Sequence, residues 1–172
     1  MEIYDLTYLQ FLSLQEDYRN EMQEVYMCLT PVEVNCQKWT WGKVKEVQDL
    51  LSGEITFNDI LEIAKKEGAN LKEYSPAHVV FSNFLGVRNS INEISKIESE
   101  QWTTQLTPKQ EQALNEVGGF SMFGAVPQTL RLTELLNMSY NDVLNVSWET
   151  CFAAYSYDVK SNEYNNLILK ST

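Results

Sequence analysis

Apolar positions along this chain recur mostly at steps of three and four, the period of a helix that buries one face. The sharpest run is Val80, Phe84, Val87, Ile91, Ile94 and Glu98, joined on its flank by Phe81 and Ile97. With Ser75-Pro76 before it, this run predicts a long helix. A second long helix is expected over about 5–28, where Leu6, Phe11, Leu14, Tyr18, Met22, Val25 and Leu29 share a stripe. Shorter helices are expected where a hydroxyl cap precedes an apolar period. Thr30-Pro31, Thr40, Thr56, Thr107-Pro108, Ser139 and Ser147 are such starts, and Pro127 opens one more. Trp41, Val44, Val47 and Leu51 make one side of the helix after Thr40, which Ser52-Gly53 ends. Trp148, Phe152, Tyr155 and Val159 make the stripe of the last helix. The polar stretch 95–107 reads as a linker, and strand candidates are limited to 54–57 and 167–169.

The expected fold is therefore all-α, an irregular multi-helix bundle of about eight helices, two of them long. It forms a single helical domain over 1–172, with possible sub-lobes 1–98 and 107–172 joined by a polar linker at 99–106. Composition agrees: only 7 Gly and 4 Pro occur in 172 residues, and turn-rich β folds consume more of both.

Charge narrows the partners. Thirteen basic against 24 acidic residues give a formal net charge of −11, which repels phosphate backbones and anionic lipid. Nucleic acid and membrane are thus disfavoured partners, and a basic protein is a suitable one. No run approaches the roughly 18 apolar residues of a membrane span. The first residues lack the basic and apolar regions of a secretory leader. Three cysteines without framework spacing fit a reducing compartment, so a cytoplasmic location is expected.

Candidate chemistry is sparse. The single histidine, His78, could pair with Cys28, Cys36 or Cys151 as a nucleophilic dyad, but no local signature supports this over a bland first-turn histidine. The cysteines lack zinc-ligand spacing. Gly118-Gly119-Phe120-Ser121-Met122-Phe123-Gly124 neither continues into Lys-Ser/Thr nor follows a buried strand, so it is no phosphate loop. Glu16, Asp17, Glu21 and Glu24 read as a solvated helix face rather than an acid–base set. No catalytic residue, metal or cofactor is expected. Five aromatic residues stand out as contacts for a protein partner. Trp39 and Trp41 crowd one helix start, Trp102 sits in the polar run 99–105, and Phe120 and Phe123 lie in the glycine-rich loop. Tryptophan is the residue most enriched among interface anchors.

The C-terminal third adds a resemblance. Gly118-Gly119-Phe120 and Phe123-Gly124 lead through Leu130, Leu135 and Leu136 to Ser139-Tyr140-Asn141-Asp142-Val143-Leu144 and Ser147-Trp148-Glu149. This order resembles small helical proteins of tailed bacteriophages, particularly tail-assembly chaperones, and 41–48 is similar in character. The resemblance implies a non-enzymatic role among virion proteins, as an assembly factor or a helical virion component. It carries no catalytic residues. The alternative is a small acidic inhibitor that occupies a basic site on a nucleic-acid enzyme or host-defence protein.

Overall fold

The computed structural model describes residues 5–67, 70–102, 112 and 124–170. Among them the fold is all-α. The helices are α1 (Tyr8–Leu12), α2 (Glu16–Met27), α3 (Trp41–Ser52), α4 (Phe57–Lys65), α5 (Ala77–Trp102), α6 (Val126–Leu136), α7 (Tyr140–Leu144) and α8 (Trp148–Lys170). A 3-10 turn, Cys36–Lys38, precedes α3. The chain divides into two compact units. The first takes Met1–Cys36 and Val47–Glu93, and the second Gln37–Glu46 and Ile94–Thr172.

The stripe on α5 is buried throughout, from Val80 to Glu98. The helix also runs further than its composition suggests. Residues 99–102 of the expected linker are its last turn, while 103–106 lie outside the described residues, as does all but residue 112 of the helix expected after Thr107-Pro108. The strand candidates are not strands: 167–169 lie in α8, and 54–56 lead into α4.

In unit 1, the expected helix over 5–28 is two helices, because its polar break is used. Thr7 and Gln10 form a capping box on α1, and the Ser13 hydroxyl donates to the Gln10 carbonyl at 2.7 Å to close it. Arg19 then reaches back from α2 to the Leu12 carbonyl at 3.2 Å and lays its guanidinium over the Phe57 ring. The break turns Tyr8 and Phe11 into an aromatic core with Tyr26, Phe57 and Phe81. Tyr26 stacks on Phe81 at 5.0 Å, and Phe11 meets Tyr26, Phe57 and Phe81 edge-on. The Tyr8 hydroxyl donates to the Phe57 carbonyl, and burial pushes its pKa up.

Thr30-Pro31 does not start a helix. Residues 30–35 are extended and lie along α5 over Ser82, Gly86 and Ser90, a small-residue row at steps of four. The Ser82 hydroxyl donates to the Thr30 carbonyl at 2.5 Å, the Val32 N–H to the Ser82 carbonyl at 3.1 Å, and the Cys36 N–H to the Ser90 hydroxyl at 2.9 Å. The lengths match: four extended residues and eight helical ones both cover about 12–13 Å. Gly86 makes the approach possible, since a Cβ there would stand 2.2 Å from the Val32 carbonyl oxygen.

Both units satisfy helix-start N–H groups, which have no partner within their own helix, by the same exchange. In unit 1 Tyr8 donates to the Ser75 carbonyl and Ala77 to the Leu6 carbonyl; in unit 2 Trp41 donates to Val146 and Trp148 to Trp39. These pairs bring α1 beside α5, and α3 beside α8, start against start.

In unit 2, α6 packs on both α7 and α8. Leu132, Val143, Trp148 and Cys151 are buried there with Trp41, Val44 and Ile94. Ser139 caps α7 by accepting from the Asp142 N–H. Asn137 ends α6 in the left-handed region at φ 51°. Gly42 lets α3 approach α7, its Cβ position lying 3.0 Å from the Leu144 carbonyl oxygen.

Candidate functional site

Unit 2 holds all four tryptophans of the chain, and their placement separates core from surface. Trp41 is fully buried, and its indole N–H donates to the Thr129 hydroxyl at 3.0 Å, which donates in turn to the Ala125 carbonyl. It is thus a core anchor, with no surface to give a partner. Trp102 packs against Tyr155 at 4.8 Å and Phe152 at 5.6 Å, and its N–H donates to the Ser156 hydroxyl at 2.9 Å. The last turn of α5 is therefore docked on α8. Trp39 is half-buried, with the Lys43 ammonium 3.6 Å over its ring. Phe120 and Phe123 lie outside the described residues.

Three of these indoles surround a buried ion pair that the sequence does not announce. Lys45 and Glu98 meet at 2.7 Å with side chains 9% and 8% exposed. The Trp148 N–H donates to the other carboxylate oxygen of Glu98, also at 2.7 Å. The Lys45 ammonium lies 4.4 Å from the Trp41 ring centre and 5.3 Å from that of Trp102. Both charges are thus met by a counter-charge and by aromatic surface, as burial of an ion pair requires. Glu98, with Ser95, Ser99, Trp102 and Gln128, lines a depression of about 300 Å³. Both oxygens of its carboxylate are already engaged, which leaves the group poorly placed as a general base.

His78 is half-buried in the first turn of α5 in unit 1, whereas Cys151 is in unit 2. Burial pushes the Cys151 thiol up to about 11, against a weaker opposing pull from Lys45. Such a thiol stays protonated and unreactive at neutral pH. Cys36 is buried and Cys28 exposed. Among the described residues no group of three or more His, Cys, Asp or Glu side chains could hold a metal ion, and no helix is long and apolar enough to cross a membrane.

The surface of α8 is what stands out. Its first half is docked through Trp148, Cys151, Phe152 and Tyr155, and through Arg131 of α6, which forks onto Asp158 at 2.9 and 2.6 Å. That fork holds the Asp158 carboxyl below the usual carboxylate range. Beyond it the helix emerges with large apolar side chains in water: Tyr157 is 77% exposed, Tyr164 65%, Leu167 67% and Leu169 74%. The stripe expected for the last helix ends at Val159 and gives no hint of this second face. A signal was present in the spacing of Tyr157, Tyr164 and Leu167, seven and three residues apart.

No protein-family model, curated protein or solved structure matches this chain.

Proposed function

We propose that this chain is a non-catalytic protein that binds other proteins through helical contacts. In its most specific form it is an assembly factor of a tailed bacteriophage, of the tail-assembly-chaperone kind, or a helical virion component. The observation that carries the reading is the exposed apolar half of α8. Large aromatic and aliphatic side chains clustered on a helix in water are what a partner helix covers. The sequence resemblance runs through the same elements, α6, α7 and α8.

A second reading rests on α2. Glu16, Asp17, Glu21 and Glu24 are all exposed on that helix, while its one cation, Arg19, is turned in over Phe57. Such an acidic face suits an inhibitor that occupies a basic site on another protein.

One experiment separates the two: capture on the tagged chain from cells of its source, with bound proteins identified at low and high salt. Tail or capsid proteins retained at high salt support apolar recognition and assembly. A basic enzyme bound at low salt and released at high salt refutes assembly and favours the inhibitor, because screening weakens charge pairing and leaves apolar contact intact.

A further inference from the structure

The extended segment 30–35 of unit 1 is seated on α5 through bonds that the helix itself does not need. The Ser82 hydroxyl donates to the Thr30 carbonyl, and the Ser82 carbonyl accepts from the Val32 N–H. At the far end the Ser90 hydroxyl accepts from the Cys36 N–H at 2.9 Å. Between these points the contact is with Gly86, where a Cβ would stand 3.0 Å from Val34 Cγ2. None of these bonds belongs to the i to i−4 ladder of α5, so the helix keeps its own bonds when the segment lifts.

Little apolar surface holds the segment down. Thr30, Pro31, Val32, Glu33 and Asn35 are exposed, and Val34 is half-buried. Few buried apolar contacts, with backbone bonds near solvent, mark a part of a fold that opens without global unfolding. Release also returns conformational entropy that ordering an extended chain costs at every residue. The Cys36 side chain is fully buried and serves as the pivot, about which its own N–H turns away from Ser90. We infer that residues 30–35 form a releasable strap, which lifts off α5 as one piece while the helices of unit 1 stay folded. Closed, the strap covers a track of small residues, Ser82, Gly86 and Ser90, into which extended backbone fits closely. Open, it lays that track bare. The strap is thus a gate on this surface of α5, independent of the exposed half of α8 and of the assembly reading.

The test is amide hydrogen exchange of the full chain, read residue by residue by NMR in increasing sub-denaturing urea. Relative to their unfolded rates, the Val32 and Cys36 amides should exchange about tenfold or more faster than those of Val87 and Ile91 in α5. Their rates should stay nearly flat in urea, because lifting the strap exposes little surface, whereas those of Val87 and Ile91 should climb. Ser90→Ala tells a strap from a fraying end. It removes the hydroxyl that accepts from Cys36, and alanine, the better helix former, keeps α5 in place. If the segment opens as one piece, Val32 at the other end should speed up by the same factor as Cys36, about threefold or more. Val87 and Ile91 should change less. Gly86→Ala places a methyl group 2.2 Å from the Val32 carbonyl oxygen and should raise both strap rates about tenfold or more. Exchange of Val32 and Cys36 at the rate and urea slope of Val87 and Ile91 overturns the proposal. So does a Ser90→Ala effect confined to Cys36, or a Gly86→Ala chain whose strap amides are as slow as the parent's.

Discussion

Removing Lys45 alone should cost unit 2 far more than removing Lys45 and the Glu98 charge together. The pair is made at 2.7 Å with both side chains less than a tenth exposed, so solvent neither screens it nor can rescue a lone partner. In Lys45→Met, Glu98 keeps the Trp148 N–H but loses its counter-charge in a box of indole rings. Breaking a buried pair this way costs about 3–5 kcal/mol. With a urea slope of about 2 kcal/mol/M, the unfolding midpoint should fall by about 2 M. At about 2–4 °C per kcal/mol, the thermal midpoint should fall by about 10 °C. Lys45→Met with Glu98→Gln removes both charges while the amide oxygen still accepts from Trp148. Stability should return to within about 1–2 kcal/mol of the parent, a recovery of about 1–4 kcal/mol over Lys45→Met alone. Tryptophan fluorescence is the natural probe, since all four tryptophans lie in this unit. If the single variant costs less than about 1 kcal/mol, or the two substitutions simply add, the charges are hydrated in solution and the argument from burial fails.

Gly86→Ala should destabilise the chain by about 2 kcal/mol in spite of alanine's helix preference of about 1 kcal/mol. The new Cβ meets a backbone oxygen at 2.2 Å, and the extended segment must lift away from Ser82 and Ser90. Thermal unfolding followed by circular dichroism checks the sign, and a stabilised variant would show that the segment is not seated there. For Asp158 the sign follows from its lowered pKa, caused chiefly by the Arg131 hydrogen bonds. A depressed folded pKa gives stability that is full above the unfolded value near pH 4 and lost as pH falls through the folded one. Asp158→Asn should therefore lower the melting temperature at pH 6 and narrow its gap from the parent by pH 3; an undiminished gap would show that the Arg131–Asp158 fork contributes nothing.

Much of the architecture was legible because caps, breakers and stripes agree locally. Thr56 with Asp59, Ser139 with Asp142 and the run from Val80 to Ile94 each state their element within a few residues. Even Glu98 was placed correctly, as the polar member of an apolar stripe. Its meaning was not legible, because Lys45 lies 53 positions away on another helix and nothing in either neighbourhood names the other. The errors share that origin. Thr30-Pro31 has the grammar of a helix start, and only the distant row Ser82, Gly86 and Ser90 turns it into an extended segment. Trp41 stands out because it crowds Trp39 at one helix start, and Trp102 because its neighbours are polar. Tertiary packing buries the first indole and docks the half-buried second one on Phe152, Tyr155 and Ser156.

The end of α8 carries the functional argument furthest because its own sequence does not favour a helix in isolation. Ser161, Asn162, Asn165 and Asn166 are weak helix formers, and a segment of this length is marginal in water without packing. Residues 164–169 are all exposed, so the single chain offers them little burial to offset the entropy of ordering. A helix in that position gains most of its stability only when a second surface covers Tyr157, Tyr164 and Leu167. At about 25 cal/mol per Å² of apolar area, a few such side chains removed from water are worth several kcal/mol, enough to offset much of the cost of ordering the turns that carry them. That gain is what the assembly reading proposed above would draw on, since a client helix would cover these side chains.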